Sequence, residues 1–313
     1  MPFYRILLVN KLKEEIMTQF LSKLSNNNIL LLDGAMGTTL HKRGLEPGIC
    51  PESLNVDRPE LVQTIIAEYV TAGSDIVETN SFGGTRYKLR HYGLQDKVFE
   101  YNKLAAEISR KAAGDQILVA GSVGPTGQFL QPLGNESQTD MYQAFKEQVQ
   151  ALTAGGIDVI FIETMMALEE AEVAFRAARE NSQVPVIVSF TFEKNTKGLF
   201  RTIMGVSPEQ MAERFTKLGA DGVGSNCGAG IEYLIEIAEI IAQHTDKYIF
   251  IKPNAGLPAV KNGETVYKST PQEMSDRVDE LLDIGVQLFG GCCGTTFEHI
   301  KAFRAVLDKR LKR

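Results

Sequence analysis

The stretch Asp158–Thr191, DVIFIETMMALEEAEVAFRAARENSQVPVIVSFT, decides how this chain folds. It opens on an apolar run, DVIFIE, that ends in an acid. A segment over 168–181 follows in which apolar residues recur at helical spacing, and a second β-branched run, VIVSFT, closes the stretch. Strand, amphipathic helix and strand in that order make one α/β unit. The same alternation runs along almost the whole chain. The other strand candidates are ILLLD (29–33), DIVETN (75–80), ILVAG (117–121), GVGSN (222–226), YIFIKP (248–253) and VQLFGG (286–291). Helical segments are expected at 59–72, 96–113, 139–154, 168–181, 207–219, 230–244, 271–284 and 296–311, with Pro59 and Pro208 suited to a first helical turn. Four of them step into the next strand through TAGSD, TAGGID, KLGAD or DIGVQ, whose glycine can accept the left-handed conformation that stops a helix.

Consecutive β-α units with no central break predict a (β/α)8 TIM barrel over 29–313, preceded by an N-terminal extension over 1–28. Within that extension, 1–16 read as a misassigned leader ahead of a natural start at Met17. A doubly wound open sheet is the alternative architecture. The glycine-rich DGAMGTT after the first strand lacks the dinucleotide-binding spacing, and no phosphate-loop lysine appears.

Composition narrows the function. A net charge of −6 argues against a nucleic-acid footprint, and no apolar run reaches the length of a membrane span. Four cysteines in 313 residues are too few for a disulfide scaffold, so a reducing, cytoplasmic setting is expected. Clustered cysteines are then read first as metal or catalytic chemistry.

A barrel makes one demand on that chemistry: it gathers at the C-terminal ends of the strands. Asp33 ends the first strand, Glu78 and Asn80 the second, Gly121 and Ser122 the third, and Glu163 the fourth. Cys227 follows the sixth, Asn254 the seventh, and Cys292 and Cys293 the eighth. The longer loops, 122–138, 191–206 and 253–270, belong to the same rim.

The adjacent pair in FGGCCGTT (289–296) has three readings: a redox pair, a metal site, or two small apolar neighbours. Its glycine frame, strand-end position and convergence with Cys227 favour metal. Gly290, Gly291 and Gly294 let the backbone turn so that neighbouring thiols can face one ion. Three thiolates suit tetrahedral zinc with one position open for a substrate sulfur. A thiol titrates near ~8.5, so a metal that favours the thiolate activates it for alkyl transfer. Cys50 has no such frame and reads as a loop cysteine. His41, His91, His244 and His299 show no ligand spacing.

The motifs LLDGAMGTTL, ESLNVDRPELV, IVETNSFGGTRYKL, GSVGPTG, SNCGAG, KPNAGLP and GGCCGTT together resemble the homocysteine S-methyltransferase family. The resemblance is closest to the homocysteine-binding domain of cobalamin-dependent methionine synthases, and it spans about Ile29 to the C-terminus. It implies zinc on Cys227, Cys292 and Cys293, which are then also the catalytic residues. It implies that Asp33 and Glu163 grip the homocysteine ammonium, and places backbone from Gly34 to Met36 at the amino-acid carboxylate. Ser122 and Asn254 are further substrate-side candidates, and the Asn254 oxygen could occupy the metal when no thiol is bound. Glu78 is open between a site acid and a structural ion-pair member. Two departures are small. Phe297 stands where proline often follows Cys-Cys-Gly-Thr-Thr, and Gly228 follows Cys227 where a small polar residue or alanine is common, which could loosen that loop.

The expected reaction is an in-line displacement of a methyl group by the acceptor's thiolate. The barrel consumes the sequence, so the expected donor is methylcobalamin on a separate corrinoid protein. S-methylmethionine and S-adenosylmethionine are the alternatives. Betaine is disfavoured, because the chain has no tryptophan and Gly83 follows Phe82 where betaine users have tyrosine. Outside this class, a vicinal-dithiol redox sensor and a zinc hydrolase are the competing readings. Oligomeric state is not legible.

Overall fold

The computed structural model describes residues 20, 22–24, 29–261 and 264–311. Eight parallel strands form the barrel wall: β1 Leu30–Leu31, β2 Ile76–Glu78, β3 Leu118–Val123, β4 Val159–Met165, β5 Val186–Phe190, β6 Gly222–Asn226, β7 Tyr248–Lys252 and β8 Leu288–Phe289. Their hydrogen-bonded order is β1-β8-β7-β6-β5-β4-β3-β2, and a parallel bridge between Leu32 and Ile76 joins the last to the first. The sheet therefore closes on itself, and the open-sheet alternative falls. The wall is a (β/α)8 TIM barrel.

The outer ring consists of α1 Pro59–Ala72, α2 Val98–Ala113, α3 Gln138–Ala154, α4 Leu168–Asn181, α5 Pro208–Leu218, α6 Ile231–Ala242, α7 Val278–Ile284 and α8 Phe297–Leu311. α5 starts with a capping box, in which Ser207 accepts from the Gln210 backbone and Gln210 returns the bond. Gly73, Gly219 and Gly285 end α1, α5 and α7 in the left-handed conformation. The expected helix over 271–284 is two pieces, Pro271–Ser275 and α7, separated at Asp276 and Arg277. Elements not legible beforehand lie in the rim loops: short helices Met36–Lys42 and Arg86–Arg90, the hairpin 193–201, and an antiparallel pair of strands, Ala259–Lys261 and Glu264–Val266.

Alternate residues of each strand fill the interior. Leu30, Leu32, Ile76, Leu118, Ala120, Val159, Phe161, Ile187, Phe250 and Leu288 form one buried cluster inside the barrel, with Phe161 and Phe250 in edge contact at 5.0 Å. Phe20 and Leu24 join that cluster, and Phe20 meets Tyr248 at 6.4 Å. At about 1.5–3 kcal/mol for each fully buried large side chain, this packing makes the lower barrel a solid support. The expected leader, 1–16, lies outside the described residues. No helix among the described residues is long and apolar enough to cross a membrane.

Candidate active site and metal centre

β6, β7 and β8 are neighbours in the wall, and the segment after β7 seats the cysteine loops on either side. The Cys227 N–H donates to the Lys252 carbonyl at 3.0 Å, Cys292 N–H to Pro253 at 2.8 Å, and Ala255 N–H to Cys293 at 2.9 Å. The three sulfurs all lie within 4.8 Å of one another, with Cys227 and Cys293 3.9 Å apart. Cys227 itself adopts φ 62°, a left-handed conformation that a non-glycine residue holds only where its surroundings impose it. Gly228 continues the turn at φ 69°, and a Cβ there would sit 2.8 Å from the Phe192 carbonyl oxygen. Glycine thus fits this loop closely against 191–192 and does not loosen it.

Burial and crowding disfavour three thiolates without a cation. At Cys227 the contact to Cys292 favours the anion, but the contact to Cys293 and burial outweigh it and push the thiol up to about 11. A soft dication supplies the missing charge, so the donor set fits zinc. Among the described residues this is the one cluster of three or more His, Cys, Asp or Glu side chains close enough to hold a metal.

Across the barrel mouth lies a second cluster. Lys252, at the end of β7 with its side chain only 3% exposed, places its ammonium 2.5 Å from Glu78 Oε1 and 3.6 Å from Asp33 Oδ1. Burial opposes the lysine's charge, yet Glu78, Asp33 and Glu163 outweigh it and hold the ammonium protonated. Asp33 Oδ2 accepts the Glu78 backbone N–H at 2.8 Å. Burial pushes Asp33 up to about 7 despite Lys252, and raises Glu78 and Glu163 as well. Glu163 Oε1 accepts from the Ser122 hydroxyl, while its Oε2 has a long 3.4 Å contact from Asn226 Nδ2. The next residue, Thr164, is also left-handed at φ 59°.

Asn226 ties the clusters together. Its Oδ1 accepts from Thr164 N–H and Ser189 Oγ, both at 2.8 Å, which fixes the amide so that Nδ2 reaches Thr164 Oγ1 at 2.7 Å and faces Cys292 Sγ at 3.8 Å. Between them opens a cavity of about 410 Å³, lined by Gly34–Thr38, Pro51, Glu52, Glu78–Phe82, Ser122, Glu163, Thr164, Lys252, Gly291 and the three cysteines. A volume of that size suits a small ligand.

The sequence profile of the family described as "Homocysteine S-methyltransferase" matches residues 30–307. The chain belongs to this family. It is 31% identical over 301 residues to the methionine synthase of Mycobacterium leprae and 31% over 310 residues to that of Mycobacterium tuberculosis, covering 90% and 93% of this chain. It spans about a quarter of the length of those relatives, 24% and 25%. The metallated homocysteine methyltransferase MmuM of Escherichia coli shares the fold, with TM-score 0.77, 24% identity, and coverage of 92% of this chain and 99% of that one.

Within this homocysteine S-methyltransferase barrel, most of the expected site residues meet at one cavity: Cys227, Cys292, Cys293, Gly34, Met36, Ser122 and Glu163 all line it. Asp33 and Asn254 are buried beside it but are not among the lining residues. The Asn254 Oδ1 is buried with no hydrogen-bond partner. Glu78 is both an ion-pair member and a wall residue. Cys50 packs with Leu89, Val98 and Tyr101, and its thiol donates to Glu52 Oε2 at 3.2 Å, so it serves the wall from behind. Phe297 begins α8 in place of proline. Sequence reasoning missed Lys252, Asn226 and Glu52. All three stood inside quoted motifs, and for Lys252 and Asn226 the signal was register: Lys252 lies two residues past inward-facing Phe250.

Proposed function

We propose that the protein transfers a methyl group to the thiol of L-homocysteine, giving methionine, with zinc held by Cys227, Cys292 and Cys293. One observation carries the reading: a single cavity has three converging sulfurs on one wall and buried carboxylates on the other. An amino-acid thiol has the matching polarity, sulfur at one end and ammonium at the other. When bound, zinc supplies a lowered thiol pKa, so that the acceptor's sulfur is a thiolate at neutral pH.

The chain's own residues do the rest. The carboxylate of Glu163, oriented by Ser122 and Asn226, receives the acceptor's ammonium and fixes the thiol's distance from the cysteines. The backbone from Gly34 to Met36 faces the amino-acid carboxylate. Asn254, with its unsatisfied oxygen, stands ready to approach the cysteine loops when no thiol is present. The attack needs no general base at the moment of transfer, because the acceptor has lost its proton on binding.

For the donor we infer a methylcorrinoid presented by a separate protein module. This rests on the resemblance of KPNAGLP and GGCCGTT to the cobalamin-dependent branch and on the methionine synthase relatives. A sulfonium donor is the second reading, favoured by Phe82, an aromatic side chain 41% exposed that lines the cavity along with Glu52. The test is methionine formation by zinc-loaded protein from L-homocysteine with methylcobalamin, S-methylmethionine or S-adenosylmethionine in turn. Turnover with methylcobalamin that disappears in Cys292→Ser supports the leading reading. Turnover confined to a sulfonium moves the donor to the second, and none with any of the three contradicts homocysteine methylation by these donors.

A further inference from the structure

The acid cluster carries three carboxylates where one acceptor brings one ammonium, and a lysine already sits among them. We propose that Lys252 determines specificity in the acceptor subsite: its ammonium is the resident cation of Asp33 and Glu78, and so leaves Glu163 as the one carboxylate that receives the ammonium of the thiol substrate. This rests on the proposed function and revises the expectation that Asp33 grips the substrate.

Four observations converge. Asp33 does not line the cavity; its Oδ2 accepts the Glu78 N–H at 2.8 Å, and its buried Oδ1 has no hydrogen-bond partner but faces the Lys252 ammonium at 3.6 Å. Glu78 lines the cavity, but its Oε1 holds the Lys252 ammonium at 2.5 Å. Glu163 also lines the cavity and differs from both in forming no ion pair with Lys252. One oxygen takes the short Ser122 bond, and the other has only the 3.4 Å amide contact, which leaves it acceptor capacity for an incoming N–H donor. Finally, the Lys252 backbone is anchored. Its carbonyl holds the Cys227 N–H at 3.0 Å and its register partner on β6 is Asn226, so the internal cation and the metal loop share one strand end.

The charges then partition in space. Unpaired buried carboxylates would otherwise compete for any cation. With Lys252 in place, an ammonium next to Asp33 and Glu78 meets a cation already ion-paired to them. One next to Glu163, which feels the lysine's charge but makes no ion pair with it, meets an open acceptor. The subsite therefore selects a thiol with a single amino group, at a fixed distance from the cysteines, and disfavours a second cation at Asp33 and Glu78.

The test is equilibrium binding of L-homocysteine and of 4-mercaptobutyrate, the same carbon chain without the amine. It compares the unsubstituted protein, Glu163→Gln, Asp33→Asn and Lys252→Ala, all zinc-loaded. Glu163→Gln is expected to weaken homocysteine about 10–100-fold and the des-amino thiol hardly at all, erasing the preference between them. Asp33→Asn is expected to leave that preference within about threefold. Lys252→Ala should raise it, and added ethylammonium should bring it back. Ethylammonium should also raise the melting temperature of Lys252→Ala and not that of the unsubstituted protein.

Loss of the amine preference in Asp33→Asn as complete as in Glu163→Gln would overturn the partition. Indifference of a folded Lys252→Ala to ethylammonium would overturn it too. If Lys252→Ala does not fold, the near-isosteric pair Asp33→Asn and Glu163→Gln decides alone. An unsubstituted protein without preference for the amine would instead contradict the amino-acid acceptor, and the ethylammonium shift would still decide whether Lys252 fills a cation site.

Discussion

The lower and upper halves of the barrel interior are built from the same strands two residues apart, and they have opposite chemistry. Ala120 is followed on the inward face by Ser122, Phe161 by Glu163, Ile187 by Ser189, Phe250 by Lys252, and Ile76 by Glu78. Below the step the fully buried cluster is apolar. Above it, three acids, a lysine, an asparagine and three cysteines are packed against one another. Burying such groups is unfavourable unless each finds a partner, and the lower layer contributes the packing that offsets it. The difference teaches that the apolar floor is what lets the rim hold charges rigidly at the positions its chemistry requires.

Breaking the two halves separately should give opposite signatures. Removing a metal ligand has the largest expected effect on function. Cys292→Ser should weaken metal binding by more than about 100-fold, since loss of an outer-shell partner alone costs about 10–100-fold. Metal content of purified protein and methyl transfer fall together, while the metal-free melting temperature moves little. Phe161→Ala, in the floor, should do the reverse. It leaves a cavity against Phe250 and costs about 3–5 kcal/mol of stability in a denaturant titration, with one metal per chain retained.

Lys252→Met falls between them. It removes the resident cation and leaves Glu78 and Asp33 buried without it, a loss of about 3–5 kcal/mol seen in the same titration. The smallest effect is on pH dependence. Burial raises Asp33 from its ordinary 3.8 to about 7, so between those values the folded chain holds a proton that the unfolded chain has released. Stability must then fall as pH rises through that window. Asp33→Asn removes this contribution, and the gap between melting temperatures at pH 5 and pH 8 should narrow.

The barrel was legible because each β-α unit carries its own period and its own helix stop, and because parallel strands buried on both faces read as apolar runs. The cysteine centre was legible because glycines frame a rare residue type at strand ends. Lys252 and Asn226 were not, for a physical reason. Their roles depend on which face of a strand they occupy, and a strand apolar on both sides hides its own register until its neighbours are known. Asp33 shows the converse. Its strand-end position was legible, but the lysine whose ammonium faces it comes from a strand more than 200 residues away.

The central claim is that the cavity binds an amino-acid thiol with its sulfur at the three cysteines. X-ray absorption at the zinc edge, before and after adding L-homocysteine, tests it most directly. The account predicts three sulfur neighbours and one lighter atom in the free protein, becoming four sulfurs near ~2.3 Å with homocysteine. An unchanged shell of three sulfurs under saturating homocysteine would contradict it.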